Sequence, residues 1–252
     1  MQNSKRIDGS VALVTGANRG IGLAIVRALL DRGAAKVYAA VRDPQTVAAL
    51  REQYGARVVA LRMDVTDGHQ VAEAARAATD VDLLVNNAGA FQPTDLTDDA
   101  VVAVARREME VNYFGVLRMV HGFADTLARH GGAIVNVGSV AGLSNVPLQP
   151  TYSASKAAQH SLTQAARAVL AGRGVRVHGA YPGPVDTDMT KDLPPQFEKA
   201  SPEAVAAAIL DGLEAGHDDI FPDAFAAALG EQFQASPKTV ERQLATMVAT
   251  AA

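Results

Sequence analysis

The chain has 252 residues, 48% of them apolar, a net charge of −4 and no cysteine. That length supports one large core in a single domain over 1–252, and the acidic balance argues against a nucleic-acid or anionic-membrane surface. Without Cys there is no disulfide or thiolate metal site, and the six His are scattered, so no metal centre is expected. Met1 to Ser10 lacks the apolar core of a signal peptide, and no stretch reaches the ~18 apolar residues of a membrane span; the expectation is a cytoplasmic protein.

Val11-Ala12-Leu13-Val14 reads as a buried strand. It runs into Thr15-Gly16-Ala17-Asn18-Arg19-Gly20-Ile21-Gly22, and a helix follows to about Arg32. Glycines between a first strand and a first helix suit either an ordinary tight turn or a cradle for a pyrophosphate at the helix N-terminus. The strand before and helix after favour the cradle. Further strands are expected at Lys36 to Val41, Arg57 to Leu61 and Val81 to Val85, with helices at Pro44 to Tyr54 and Gly68 to Thr79. Strands alternating with helices indicate parallel βαβ units. Asn86-Asn87-Ala88-Gly89 ends the fourth strand.

A long helix is expected from about Asp98 to Arg129. Asn112 stands inside it as a mediocre helix former, which raises a bend near Gly115. Ile134 to Val137 is a fifth strand ending in Gly138-Ser139. A helix over Tyr152 to Gly172 and a strand over Val175 to Ala180 follow, then the rigid turn Pro182-Gly183-Pro184-Val185-Asp186-Thr187. Residues 188–200, with Pro194 and Pro195, read as a mobile loop. Ser201-Pro202 starts a helix, Asp219 to Phe221 suits a short last strand, and Ser236-Pro237 starts a final helix to about Thr250. Ligands bind beyond the carboxyl ends of such strands; Gly16, Asp64, Asn86 and Ser139 all fall on that edge.

Tyr152 and Lys156 are four residues apart, which on a helix stacks them on one face about 6 Å apart. An ammonium beside a phenol favours the phenolate and lowers its pKa, so the Tyr can trade a proton with a substrate oxygen. Such a pair also occurs on ordinary solvated helix faces. Ser139, at the end of a strand, adds a hydroxyl to polarise a carbonyl.

Together Thr15-Gly16-x-x-x-Gly20-x-Gly22, Asn86-Asn87-Ala88-Gly89, Asn112, Ser139, Tyr152-x-x-x-Lys156 and Pro182-Gly183 resemble the short-chain dehydrogenase/reductase family over residues 8–222. The resemblance implies an α/β Rossmann fold, a doubly wound parallel sheet of about seven strands with helices on both faces. It also implies a catalytic set of Asn112, Ser139, Tyr152 and Lys156. Ser139 would hold the substrate oxygen and Tyr152 move its proton. Lys156 would lower the Tyr pKa and bind the nicotinamide ribose, and Asn112 would bend its helix and hold a relay water. Gly16, Asn18, Arg19, Gly20, Ile21 and Gly22 would cradle the cofactor, and Asp64 and Val65 would meet its adenine. Asn86, Ala88 and Gly89 would line it, Pro182 and Gly183 would also contact it, and Val185 and Thr187 would meet the carboxamide. The segment 223–252 departs from the family pattern as a helical extension.

The second strand ends Val41-Arg42-Asp43. An acidic residue at the strand end would read a ribose 2′-hydroxyl; Arg42, with Arg19 from the glycine loop, suits a 2′-phosphate, as in NADPH-preferring relatives. The cofactor expected is NADP (NADPH), while Asp43 keeps NAD in view. The candidate pocket, Ala90, Phe91, Leu143, Val146, Gln149, Tyr181 and Met189, holds no cation and favours a neutral, largely apolar ketone or aldehyde. The alternatives are a silent cofactor-binding regulatory protein and an isomerase or dehydratase of the same fold. A homodimer through helices 98–129 and 152–172 is expected, with a tetramer second.

Overall fold

A computed structural model describes residues 4–192 and 198–249. The reading of Pro194 and Pro195 in a mobile loop lies outside the described residues. Seven strands form one all-parallel sheet: β1 (Val11–Thr15), β2 (Lys36–Val41), β3 (Val58–Arg62), β4 (Leu83–Asn86), β5 (Ala133–Val137), β6 (Arg176–Ala180) and β7 (Asp219–Ile220). Their order is 3-2-1-4-5-6-7. The winding reverses between β1 and β4, which opens a crevice beyond their carboxyl ends.

The helices are α1 (Gly20–Asp31), α2 (Ala48–Tyr54), α3 (Gly68–Ala77), α4 (Val101–Met109), α5 (Val116–Arg129), α6 (Pro150–Ala171), α7 (Pro202–Ala215), α8 (Ala224–Ala235) and α9 (Pro237–Ala249). Strand side chains alternate faces. Ala12, Val14, Leu83, Val85, Ala133 and Val135 pack with α1 and α7 on one side of the sheet. Leu13, Leu84 and Ile134 pack with α3, α5 and α6 on the other. Both faces are therefore dry, which is why these strands read as continuous apolar runs.

Between α4 and α5 the backbone forms a π-helical segment over Glu110–Gly115. The long helix expected over 98–129 is thus two helices joined by a widened turn, as Asn112 and Gly115 suggested. A side chain at Gly115 would come within 2.9 Å of Val65 Cγ2, so glycine lets this turn lie against the end of β3.

Local chemistry sets the ends. Asp67 caps α3, and Ser201, followed by Pro202, caps α7. Gly216 in the left-handed region closes α7, a position favouring glycine. The carboxyl-terminal helices fold back over the sheet edge: Ala226, Leu229, Val240 and Leu244 pack against Val140 and Tyr181. Among the described residues no helix is long and apolar enough to cross a membrane.

Candidate active site

The loop after β1 is bolted to the loop after β4. Thr15 Oγ1 accepts hydrogen bonds from the backbone N–H of Asn87 and of Ala88, each at 2.9 Å, and Asn87 Nδ2 donates to the Thr15 carbonyl at 3.0 Å. Gly16 has φ +65°, and a side chain at Gly22 would strike the Gly16 carbonyl oxygen at 2.2 Å. These glycines keep the floor at backbone level. Asn18 lies half-buried between them, and Ile21 anchors the first turn of α1 on the core. Arg19, at the α1 N-cap, makes no side-chain cap bond, unlike the capping residues of α3, α7 and α8. An uncapped N-terminus above a glycine floor fits a pyrophosphate.

The far end of the cradle is set by β2. Arg42 is exposed and makes no ion pair among the described residues. Asp43 accepts from Gln45 N–H at 3.0 Å through Oδ1 and caps the following turn. Arg19 pairs with Asp188 at 2.8 Å, both side chains largely exposed. Such a pair is worth about 0–1 kcal/mol, little enough to yield to a phosphate. Asp64 binds Thr66 through its N–H at 2.9 Å and its hydroxyl at 2.8 Å. Val65 is buried in the second core cluster.

The proton-handling groups meet at the carboxyl end of β5. Ser139 Oγ accepts from Ala141 N–H at 3.2 Å and donates to the Pro182 carbonyl at 3.5 Å, and its hydroxyl lies near enough to the Tyr152 phenol to act on it. Burial pushes the Tyr152 phenol up to about 12; the Ser139 hydroxyl opposes this and the Glu108 carboxylate adds to it. Lys156 is 4% exposed, and burial pushes its amine down to about 7. Its Nζ donates to the Val137 carbonyl at 3.1 Å and to Gln159 Oε1 at 2.9 Å. Lys156 is not among the groups that shift the Tyr152 phenol: its ammonium is directed to Val137 and Gln159, and desolvation dominates both groups.

Asn112 is a clamp. Its Oδ1 accepts from Ala90 N–H at 2.8 Å, while Nδ2 donates to the Ala90 carbonyl at 2.8 Å and to Ser155 Oγ at 2.9 Å. Both amide protons are engaged, so the side chain has no donor left for a relay water. It ties the loop after β4 to α6 and thereby sets the height of the Tyr152 turn. Ser155 also donates to the Tyr152 carbonyl at 2.7 Å, and Ser153 Oγ accepts from Val146 N–H at 3.1 Å. Sequence reasoning assigned no role to either serine; their place between Tyr152 and Lys156 was the available signal.

Several expected cofactor contacts are placed differently. The Asn86 side chain donates to Asn136 Oδ1 at 2.8 Å within the sheet, so only its backbone is left to face the cradle. Asn87, unassigned in sequence, is the residue that fastens the glycine loop. Gly183 N–H donates to Asp223 Oδ2 at 2.8 Å, which ties the Pro182–Gly183 turn to α8. Val185 is buried, and Thr187 lies over Gly20, where an added side chain would come within 3.1 Å of it. Ala88 and Gly89 do border the cradle, with Gly89 close to Asn112 and Lys156.

Of the expected pocket, Phe91 meets the Tyr152 ring edge-on at 5.3 Å. Ala90 is fixed by Asn112, and Gln149 stands half-buried just ahead of α6. Met189 is exposed on the turn that holds Asp188. Tyr181 is different: it is 2% exposed, bonds His160 Nδ1 at 2.7 Å and sits in the cluster with α8 and α9. Leu143 and Val146 pack partly against that cluster. Tyr181 is therefore a core residue, not a pocket wall, and the same burial raises its phenol. The extra helices, which the family pattern gave no reason to expect, provide that cover.

A glycine cradle at the switch point beside a Ser–Tyr–Lys cluster defines a dinucleotide-dependent oxidoreductase. The chain belongs to the short-chain dehydrogenase family: the family model described as short chain dehydrogenase matches residues 10–198. It is 39% identical over 227 residues to a galactitol 2-dehydrogenase (L-tagatose-forming) of Cereibacter sphaeroides, covering 81% of this chain and 88% of that protein. It is 38% identical over 216 residues to a cis-4-hydroxycyclohexanecarboxylate dehydrogenase of Sinomonas cyclohexanicum, with 79% and 87% covered. A short chain dehydrogenase from Burkholderia cenocepacia J2315, solved in complex with NADP, superposes with a TM-score of 0.89 at 41% identity, covering 95% of this chain and 99% of that one.

Proposed function

We propose that this protein is an NADPH-dependent oxidoreductase that reversibly reduces a ketone or aldehyde of a largely apolar small molecule to an alcohol. The observation that carries the reading is the Ser139–Tyr152 hydroxyl pair beside Lys156, next to the glycine cradle. Arg42, which has no ion pair among the described residues, and the weakly held Arg19 at the far end of the cradle support NADPH over NADH. The NADP bound to the Burkholderia cenocepacia relative agrees with that choice.

Gly16 to Gly22 and the α1 N-terminus would hold the pyrophosphate, and Arg42 and Arg19 the 2′-phosphate. Held there, the reduced nicotinamide would supply the hydride for the carbonyl carbon. Ser139 donates a hydrogen bond to the carbonyl oxygen and orients it. Tyr152, which burial keeps protonated, gives its proton to that oxygen as the negative charge grows. Lys156, when charged, stabilises the phenolate left behind. Asn112 and Ser155 hold α6 at the height this geometry needs. Alcohol oxidation uses the same groups in reverse.

Phe91, against the Tyr152 ring, puts an apolar surface beside the reacting group, which supports an apolar substrate. Val102, Phe114, Leu117 and Val169 are exposed on α4, the π-helical segment, α5 and α6, which supports a homodimer through these helices; light scattering gives the mass. The test of activity is NADPH consumption with a panel of neutral and charged ketones and aldehydes. Turnover of neutral substrates is expected. Tight NADPH binding without turnover of any carbonyl would point to the silent regulatory alternative.

A further inference from the structure

Among the buried polar groups of α6 that the mechanism does not use, Gln159 is the one that meets Lys156. Gln159 is 1% exposed, one turn past Lys156. Its Oε1 accepts from Lys156 Nζ at 2.9 Å, and its Nε2 donates to the Val137 carbonyl at 3.3 Å. That same carbonyl accepts from Lys156 Nζ at 3.1 Å. Ammonium, amide and carbonyl form a closed triangle between α6 and β5. The triangle is backed from behind: the Gln159 carbonyl accepts from Thr163 Oγ1 at 2.9 Å, which accepts from Asn136 Nδ2 at 3.0 Å. An apolar side chain would fill this core position with no desolvation cost. The amide is kept where its oxygen meets the lysine.

We infer that Gln159 is a positioning residue for Lys156, whose amide oxygen holds the amine in its charged form and fixes where Nζ stands beneath the Tyr152 ring. The inference rests on the role proposed above for Lys156. An acceptor on the charged form favours that form; here it works against burial, which pushes Lys156 down to about 7. The titratable groups around the pair are Tyr152 on α6 itself and Glu108 on α4, whose carboxylate acts on the Tyr152 phenol. From β5 the Val137 carbonyl faces the amine, and from the loop after β4 it is Gly89. Removing the Gln159 oxygen should lower the Lys156 pKa, and a carboxylate in its place should raise it. Carbonyl reduction needs the charged amine, so its alkaline limb should move the same way.

The experiment uses the full chain without cofactor, with 13Cε-labelled lysine, as the unmodified protein, Gln159→Met and Gln159→Glu. The Lys156 resonance is titrated by NMR, and the pH profile of ketone reduction is measured on the same proteins. The expected result is a lower midpoint in the Met variant and a higher one in the Glu variant, each by about tenfold in ionisation constant, or one pH unit, with the kinetic limb following. Unchanged midpoints in folded variants, or a rate lowered at every pH with the limb in place, would overturn the inference and leave Gln159 a space-filling residue. Midpoints that move while the kinetic limb stays would uphold Gln159 and overturn the role of Lys156. If one variant fails to fold, the other still gives a signed shift.

Discussion

The Lys156 ammonium lies 5.8 Å from the centre of the Tyr152 ring, yet its hydrogen bonds run away from the phenol to Val137 and Gln159. One helix turn sets the two side chains on the same face, and burial then acts on them oppositely. The phenol rises to about 12 and the amine falls to about 7. Over the physiological range Tyr152 stays protonated, and Lys156 is the group that titrates.

This gives a pH prediction with a definite sign. In carbonyl reduction kcat/KM for NADPH reports the free enzyme. It should be highest while Lys156 is charged and fall as the pH rises through about 7. A flat profile from about pH 6 to about pH 9 would remove Lys156 as the titrating group.

Cofactor choice should rest on Arg42. Arg42→Asp removes the donor for a 2′-phosphate and puts a carboxylate near it. NADPH should lose about ten- to a hundred-fold in kcat/KM, while NADH use holds or improves. Equal specificity constants for the two cofactors in the unmodified enzyme would end this assignment.

Asp188 competes for Arg19. Neutralising it by Asp188→Asn frees the guanidinium at a cost of no more than ~1 kcal/mol to the fold. NADPH affinity should rise by up to about fivefold, with a smaller gain for NADH. Fluorescence titration of both cofactors reads this, and a fall in NADPH affinity would show that Asp188 orders the loop instead.

His178 should make stability sensitive to acid. It is fully buried, with Nδ1 against the His217 carbonyl at 2.7 Å and Nε2 without a partner. Burial holds its pKa below the ordinary 6.5, so the unfolded chain binds the proton more readily. Stability is then intact above about 6.5 and lost as the pH falls from there toward the depressed folded value. Urea unfolding from about pH 8 to about pH 5 should show this loss, and His178→Gln should reduce its slope. An identical slope in the variant would assign the acid sensitivity to other groups.

Much of this architecture was legible in the sequence because it is local. Apolar runs such as Val11 to Val14 announce strands buried on both faces, and poor helix formers at Asn112 and Gly115 announce the widened turn. What was not legible depends on register or on distant chain. The Asn86 side chain turns away from the cradle because β4 and β5 pair it with Asn136, fifty residues on. Tyr181 joins the core because α8 and α9, beyond the family pattern, cover it. The capping bond of Asp43 was not legible until the path of the chain after β2 was known. Gln159 was invisible because a helix wheel shows its face but not the lysine amine it meets.

The central claim is that Tyr152 delivers the proton to the carbonyl oxygen, and Tyr152→Phe tests it most directly. The ring, its contact with Phe91 and the α6 helix are retained, and only the hydroxyl is lost. Turnover of a neutral ketone with NADPH should fall by about 10²- to 10⁴-fold, while NADPH affinity measured by fluorescence stays unchanged. A Phe variant that keeps most of its rate would contradict the account.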